Sequence, residues 1–505
     1  MSSKILSCTV WGLDGVLVEV EADITPTSLP AFIIVGLPDT AVQESRERIR
    51  SAIKNSDFKF PAARIAVNLA PADIKKQGPS FDLPIALSIL SANNVIPAFA
   101  WQDIFIVGEL SLAGELRSVQ GMLAMLISAK QQGIKKAIVP FANWAEARLI
   151  KGIEILPVRN LKEAVAVLQG QQLDLPPLEQ DNANLTDKAA VDLADVYGQE
   201  TAKRALEIAA AGGHNILFFG PPGSGKTMLA RALVGILPPL SEEESLEITK
   251  IYSVAGLLSS QAPLIKNRPF RTPHHTASAV SLVGGGANIK PGEISLAHRG
   301  VLFLDEFPEF PRAVLDSLRQ PLEDGIVTIS RAQGSLSFPA KFMLVAAMNP
   351  CPCGFASDPV RTCVCSPAQI IRYQKKISGP LLDRIDLHIE VPRVDQDKIM
   401  NQVSQESSAV VAQRVKQARA IQRQRFFNRK ILTNSEMGSA ELKEFCQLTA
   451  EGKDFMRQAM ERFYLSARAF HRLLKLARTI ADLEGEKQIS IKHLAESLQY
   501  RPRVD

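Results

Sequence analysis

Residues 216–227, ILFFGPPGSGKT, narrow what this chain can become more than any other stretch. The apolar run at 216–219 reads as a buried parallel strand. The eight residues after it are Gly220, Pro221, Pro222, Gly223, Ser224, Gly225, Lys226 and Thr227. They satisfy G-x-x-x-x-G-K-[ST] at every fixed position. Gly220, Gly223 and Gly225 let the backbone wrap an anion with its N–H groups turned inward. Lys226 supplies a point charge for β/γ-phosphates and Thr227 a hydroxyl for Mg²⁺. A helix expected over 228–237 would turn its positive end to the same place. The bland alternative is a Gly/Pro turn that happens to contain a lysine, and it leaves a full match between a strand and a helix unexplained. The expectation is an α/β core built on a phosphate-binding loop, with ATP and Mg²⁺ as ligands.

The residues that would complete such a site follow in order. VLFLDE ends a four-residue apolar strand on Asp305 and Glu306, placing both carboxylates at the strand edge where open α/β sheets bind ligands. Asp305 is expected to hold Mg²⁺ through water and Glu306 to activate the attacking water. FMLVAAMN is a second buried strand, ending on Asn349, whose amide can hold the lytic water or the γ-phosphate. Arg384 lies on a short helix in GPLLDRIDLHIEV, and Arg468, Arg472 and Arg478 lie on an amphipathic helix at 465–485. Gly284 to Gly286 read as a flexible tip.

Length and charge set the outer frame. At 505 residues, two to four domains are expected. No apolar run reaches the length of a membrane span, and MSSKILSCTVWGLDG lacks a signal peptide's apolar core and cleavage site. The expected setting is the cytoplasm, with reduced cysteines and no membrane partner. The net charge is +5, concentrated at the end: residues 396–505 carry 20 Lys/Arg against 13 Asp/Glu. Residues 171–190 are polar and proline-containing and read as a linker. The chain therefore divides into 1–170, the linker, a core at 191–395 and a helical lid at 396–505.

Residues 1–170 alternate strand and helix signals. Strands are expected at 15–22, 32–35, 63–69, 104–108 and 137–140, and helices at 39–55 (with Asp39 as N-cap) and 122–132. GPSFDLPIALSIL and GELSLAGELRSVQG resemble the Lon-protease-type domain. The resemblance puts a nucleophile at Ser80, but the position of its lysine partner falls in Leu123 to Met125, where no base is available. Without a base a serine hydroxyl is a poor nucleophile, so peptidase activity is not expected.

The order of phosphate loop, acidic strand end, polar strand end, Arg384 and Arg468 resembles an AAA+ ATPase. AHRGVLFLDEFPEF and LLDRIDLHIEV resemble the magnesium-chelatase-like branch. TPHHTAS, CPCG and the Lon-type N-terminal part read as foreign to the chelatases, and together the segments resemble the ComM/YifB family over nearly the whole chain. The resemblance implies a homo-hexameric motor with Arg384 as arginine finger and Arg468 as a second sensor. It implies a helicase that binds single-stranded and branched DNA and drives branch migration in recombination of incoming DNA during natural transformation. A chelatase-type remodeller of a partner protein and, less well supported, an ATP-dependent protease stay open.

Three features stay open in the residues themselves. DGIVTISRAQGSLSFPAKF alternates like a hairpin with its turn at Gln333-Gly334, and Arg331 at its tip is either a DNA phosphate contact or a solvated turn residue. Residues 410–430 hold seven basic residues and no acid. Arg414, Arg419 and Arg423 form either a phosphate-tracking face or a solvated helix, with Phe426 and Phe427 packing on the core. Cys351, Cys353, Cys363 and Cys365 can hold structural Zn²⁺, remain free thiols or form a redox disulfide. Cys8 and Cys446 read as core residues.

Overall fold

The computed structural model describes residues 3–26, 29–97, 103–175, 191–259, 262–286, 289–331, 334–394 and 405–501. It divides into two compact units. One comprises residues 1–184 and 245–265, the other 185–244 and 266–505. Most of the expected linker, 176–190, lies outside the described residues.

The first unit is a mixed seven-stranded sheet. Its order is Ala31–Val35, Arg64–Ala70, Asp14–Thr25, Ser3–Trp11, Ile104–Ile106, Lys136–Pro140, Glu154–Val158. The first two long strands form a hairpin closed by Trp11 opposite Asp14, and the last three strands run parallel. Asp39 caps the Thr40–Asn55 helix, its side chain accepting the Val42 N–H at 2.8 Å. Leu83, Ile85, Leu87, Ile89 and Leu90 of the Asp82–Ala92 helix are all fully buried, so a polar sequence period is missing and the helix is hard to see from pattern. Within this unit Ser253 donates to Glu146 at 2.5 Å, which anchors residues 245–265, a segment expected inside the ATPase core.

The second unit holds a five-stranded, wholly parallel sheet, ordered Phe270–Arg271, Val301–Leu304, Met343–Met348, Ile216–Phe219, Leu387–Glu390. Its strands are near-continuous apolar runs because both faces are covered. Register aligns their ends: Phe219 pairs with Met348 and with Glu390, and Leu304 with Ala346. The residues immediately after Phe219, Leu304 and Met348 therefore emerge along one sheet edge.

The C-terminal helices are fused to this core. Val411, Val415 and Ala418 of the Ser408–Arg425 helix and Leu476 and Ile480 of the Ala467–Leu483 helix share one apolar cluster with Ile216, Phe218 and Val345. Two local expectations change. Gly284–Gly285 is a short strand paired with Lys290–Pro291; a side chain at Gly284 would strike the Lys290 carbonyl, and this close approach is what the glycine serves. Ile326–Arg331 pairs with Gly334–Pro339 as a hairpin, but Gly334 is a strand residue opposite Arg331; Gln333 lies outside the described residues. Among the described residues no helix is long and apolar enough to cross a membrane.

Candidate nucleotide site

The phosphate loop leaves the Ile216–Phe219 strand and enters the Lys226–Ile236 helix, so Lys226 and Thr227 begin the helix itself, two residues earlier than pattern suggested. Gly223 and Gly225 have φ of +77° and +93°, and a Cβ built on either meets nothing within 4 Å. The space beside the loop is therefore open at both glycines, as an anion site requires. Gly220 is closed on its other side, where a Cβ would lie 2.1 Å from the Val391 carbonyl. Ser224 has a buried hydroxyl with no hydrogen-bond partner among the described residues.

The charged groups converge on that loop. Lys226 donates to the carbonyls of Gly220 (2.7 Å) and Pro221 (2.9 Å) and to Asn349 Oδ1 (3.3 Å). Burial draws its ammonium down to about 8, against the pull of the Asp305 carboxylate. A phosphate is a far better partner for that charge than carbonyls. Thr227 donates to Asp305 Oδ2 at 3.0 Å. A hydroxyl and a carboxylate are the hard oxygen donors that Mg²⁺ prefers, so Thr227 and Asp305 fit ATP with Mg²⁺. Glu306, the next residue, has φ +51°, a left-handed backbone that costs a non-glycine residue about 1–2 kcal/mol. Its carboxylate meets His275 Nδ1 at 3.0 Å. His275 belongs to the TPHHTAS segment, which sequence reading singled out without giving any of its residues a role.

The arginines divide differently from expectation. Arg384 and Arg468 both pair with Glu323, Arg468 at 3.3 Å, and Arg384 also donates to the Pro380 carbonyl at 2.5 Å. They line a cleft of about 820 Å³ to which residues 220–227 contribute nothing. Arg468 therefore lies with Arg384 and not against its own phosphate loop, because the Ala467–Leu483 helix packs on the Glu200–Gly212 helix. Glu323, missed in the sequence, carries only the signal of being acidic near the end of the Arg319–Asp324 helix. Arg472 donates to the Ile385 carbonyl at 2.8 Å, and Arg478 is buried on Asp482 at 3.1 Å; both hold the fold.

Arg414 and Arg419 do not form a free cationic face. Arg414 pairs with Glu207 and with Glu406 (2.8 Å), and Arg419 donates to the Ala210 carbonyl at 2.9 Å. They clamp their helix to Glu200–Gly212, and of the three only Arg423 is exposed. Phe426 is buried as expected, but Phe427 is 76% exposed. Arg331 ends the first strand of the hairpin. In the other unit Ser80 is buried, and Leu123, Ala124 and Met125 are buried apolar residues, so the place of a lysine base is part of the core.

The four clustered cysteines come together. Cys351 Sγ lies 3.3 Å from Cys353 Sγ and 3.7 Å from Cys363 Sγ, with Cys353 to Cys363 at 3.6 Å; Cys365 completes a group within 4.8 Å. None of the four is joined in a disulfide. The Phe355 and Val364 N–H groups pull Cys353 down to about 6. Cys363 gains from the Cys365 N–H, but desolvation and the Cys353 and Cys351 sulfurs push it up to about 12. Cys8 and Cys446 are buried, and burial pushes each thiol up to about 12.

A parallel sheet carrying a phosphate loop, paired acids and a terminal Asn along one edge, with an Arg-bearing helical lid behind it, defines the magnesium-chelatase-like class of AAA+ P-loop proteins. Family models described as "Magnesium chelatase, subunit ChlI" and "Magnesium chelatase, subunit ChlI C-terminal" match residues 192–399 and 405–501. A third, "Subunit ChlI of Mg-chelatase", matches 20–143, so the N-terminal part is not foreign to that class as its sequence suggested. The chain belongs to the ComM/YifB family. It is 46% identical over 98% of its length to the Competence protein ComM of Haemophilus influenzae, covering 96% of that protein. It is 45% identical to the YifB protein of Escherichia coli K12, over 97% of this chain and 95% of that one. The DNA repair protein RadA of Haemophilus influenzae is 29% identical over 31% of this chain and 33% of its own length.

Proposed function

We propose that this chain is an ATP-driven ring motor that moves DNA strands. The observation that carries the ATPase half is the convergence of Lys226, Thr227, Asp305 and Asn349 on one open phosphate loop. The DNA half rests on its likeness to a competence protein along its whole length. In this reading Lys226 leaves its own carbonyls for the β/γ-phosphates of ATP. Thr227 and Asp305 would hold Mg²⁺, whose charge would offset that of the phosphates. Glu306 accepts the proton of the attacking water and Asn349 orients that water. Arg384 and Arg468, gathered on one carboxylate away from their own loop, serve the neighbouring subunit's nucleotide, which makes a hexamer the working unit. Arg331 on the hairpin and exposed Arg423 contact DNA phosphates, with single-stranded and branched DNA as substrates. The place of action is the cytoplasm, in recombination of incoming DNA during natural transformation.

The decisive assay combines pure protein, ATP, Mg²⁺ and a labelled four-strand junction. Strand exchange is expected, with ATPase activity raised by DNA and falling with salt. Arg331→Ala is expected to hydrolyse ATP without exchanging strands. The description of the matching family models favours a second reading, a chelatase-type remodeller of a partner protein. ATPase activity indifferent to DNA at every salt concentration, with no strand product, would leave that reading and remove the first.

A further inference from the structure

The cysteine cluster touches the nucleotide site, and neither the family's ATPase chemistry nor the DNA reading uses it. Four thiolates around one tetrahedral ion with Zn–S near 2.3 Å stand about 3.8 Å apart. The measured separations of 3.3 to 3.7 Å already approach that spacing, and none approaches the roughly 2.05 Å of a disulfide. The Cys365 N–H points at Cys363 Sγ at 3.4 Å, an arrangement that stabilises thiolate. Apolar packing does little to hold the loop: Val360 and Val364 are 73% and 85% exposed, and residues 356, 357, 359, 361 and 362 face solvent, while Asp358 ties the turn locally by accepting the Val360 N–H at 2.8 Å and pairing with Arg393 at 3.7 Å. A loop with no core of its own that nonetheless gathers four thiols is shaped for a metal staple.

The same loop is joined to the phosphate site on two sides. Cys351 follows Asn349 by two residues, and Asn349 accepts from Lys226. The Pro350 carbonyl between them is held by Gln374 at 3.3 Å. Gly354 donates to the Cys351 carbonyl at 3.0 Å, closing the turn. That turn then presses on Pro222: a Cβ at Gly354 would lie 2.8 Å from the Pro222 ring and 3.9 Å from the Asn349 side chain. Pro222 belongs to the same loop as Gly223 and Gly225, beside which the space is open.

We propose that Cys351, Cys353, Cys363 and Cys365 bind one Zn²⁺, and that this zinc holds Pro222 and Asn349 in the nucleotide-receiving position. The zinc site is thereby a determinant of ATP affinity at a distance from the phosphates. The second half rests on the phosphate-loop reading above. The test uses the full chain, purified without oxygen or chelator. Elemental analysis is expected to give about one zinc per chain. Co²⁺ exchanged into the site is expected to show the intense visible bands of tetrahedral thiolate ligation. Stripping the zinc, or Cys363→Ser, is expected to weaken binding of a fluorescent ADP analogue about tenfold, restored in the stripped protein by Zn²⁺. Gly354→Ala loads both the turn's own left-handed backbone, at φ +88°, and Pro222, and in protein that still carries its zinc it is expected to weaken the analogue by a similar factor; it decides the matter if the cysteine variant does not fold. Lys226→Ala is the control that keeps zinc and loses nucleotide. Zinc-loaded parent protein that never binds the analogue would fail the phosphate-loop reading and not the metal site. Protein free of zinc, or carrying iron, overturns the metal assignment. Analogue affinity unchanged within twofold after zinc removal and in Gly354→Ala overturns the coupling.

Discussion

Glu306 and His275 pose the sharpest residue-scale question. The carboxylate assigned as base is held by an imidazole at 3.0 Å and sits on left-handed backbone. Glu306→Gln is expected to keep nucleotide binding and lose hydrolysis by about 10² or more, since an amide cannot take the water's proton. His275→Ala frees the same carboxylate and is expected to raise ATP turnover measured without DNA; a fall to the Glu306→Gln level would instead make His275 part of the chemistry. A second residue sets a pH dependence. His388 is buried with Nε2 on the Ile385 carbonyl at 3.2 Å, and burial, helped by the Arg472 charge, lowers its pKa to about 4. A lowered folded-state pKa means the fold resists protonation. Stability is therefore full above the ordinary histidine range near 6.5 and is lost as pH falls toward 4, by up to about 3 kcal/mol. Urea unfolding between pH 7.5 and 4.5 should show that slope, flattened in His388→Gln; an unchanged slope would assign the acid sensitivity to other groups.

The Ser408–Arg425 helix shows at element scale how a basic run can mislead. Its five cations, with no acid among them, look like a surface for phosphates, yet Arg414 and Arg419 reach the Glu200–Gly212 helix, where Glu207 is nearly buried. The sequence could not reveal this, because the partners lie some two hundred residues away. Arg414→Ala is expected to cost about 1–2 kcal/mol of stability, limited by Arg414's own partial exposure and by Arg204, which still pairs with Glu207 at 2.9 Å. It should leave the salt slope of DNA binding alone. Arg423→Ala is expected to do the reverse, lowering that slope by about 0.7–0.9 with no change in melting. Equal effects of the two variants on DNA binding would restore the cationic-face reading.

At the scale of the whole molecule, Arg384 and Arg468 line a cleft that excludes their own phosphate loop, and the proposed ring gives each a neighbour's nucleotide to reach. Arg384→Ala and Lys226→Ala protomers each damage a different half of a shared site. Each alone is expected to be inactive, and mixtures to regain part of the ATPase rate. Protein that stays monomeric in ATP, or mixtures with no recovery, would count against a ring. The arrangement of this second unit also explains why a lid at 396–505 could be expected from helical pattern yet not its attachment: its apolar stripe completes the ATPase core itself.

What the sequence determined was everything carried by neighbours along the chain. The phosphate loop needs consecutive glycines, a lysine and a hydroxyl, and apolar runs ending on Asp305 and Asn349 can only be buried strands with polar ends. The alignment of those ends follows once the strands are parallel. The cysteine spacing likewise announced a cluster. Tertiary structure alone decided which cations are spent inside the fold, because that depends on carboxylates and carbonyls remote in sequence. It also decided that Arg468 joins Arg384 on Glu323, that His275 meets Glu306, and that Gly354 lies against Pro222. Each is a contact between separate elements, set by the packing of helices on the sheet and leaving no period or motif in the chain.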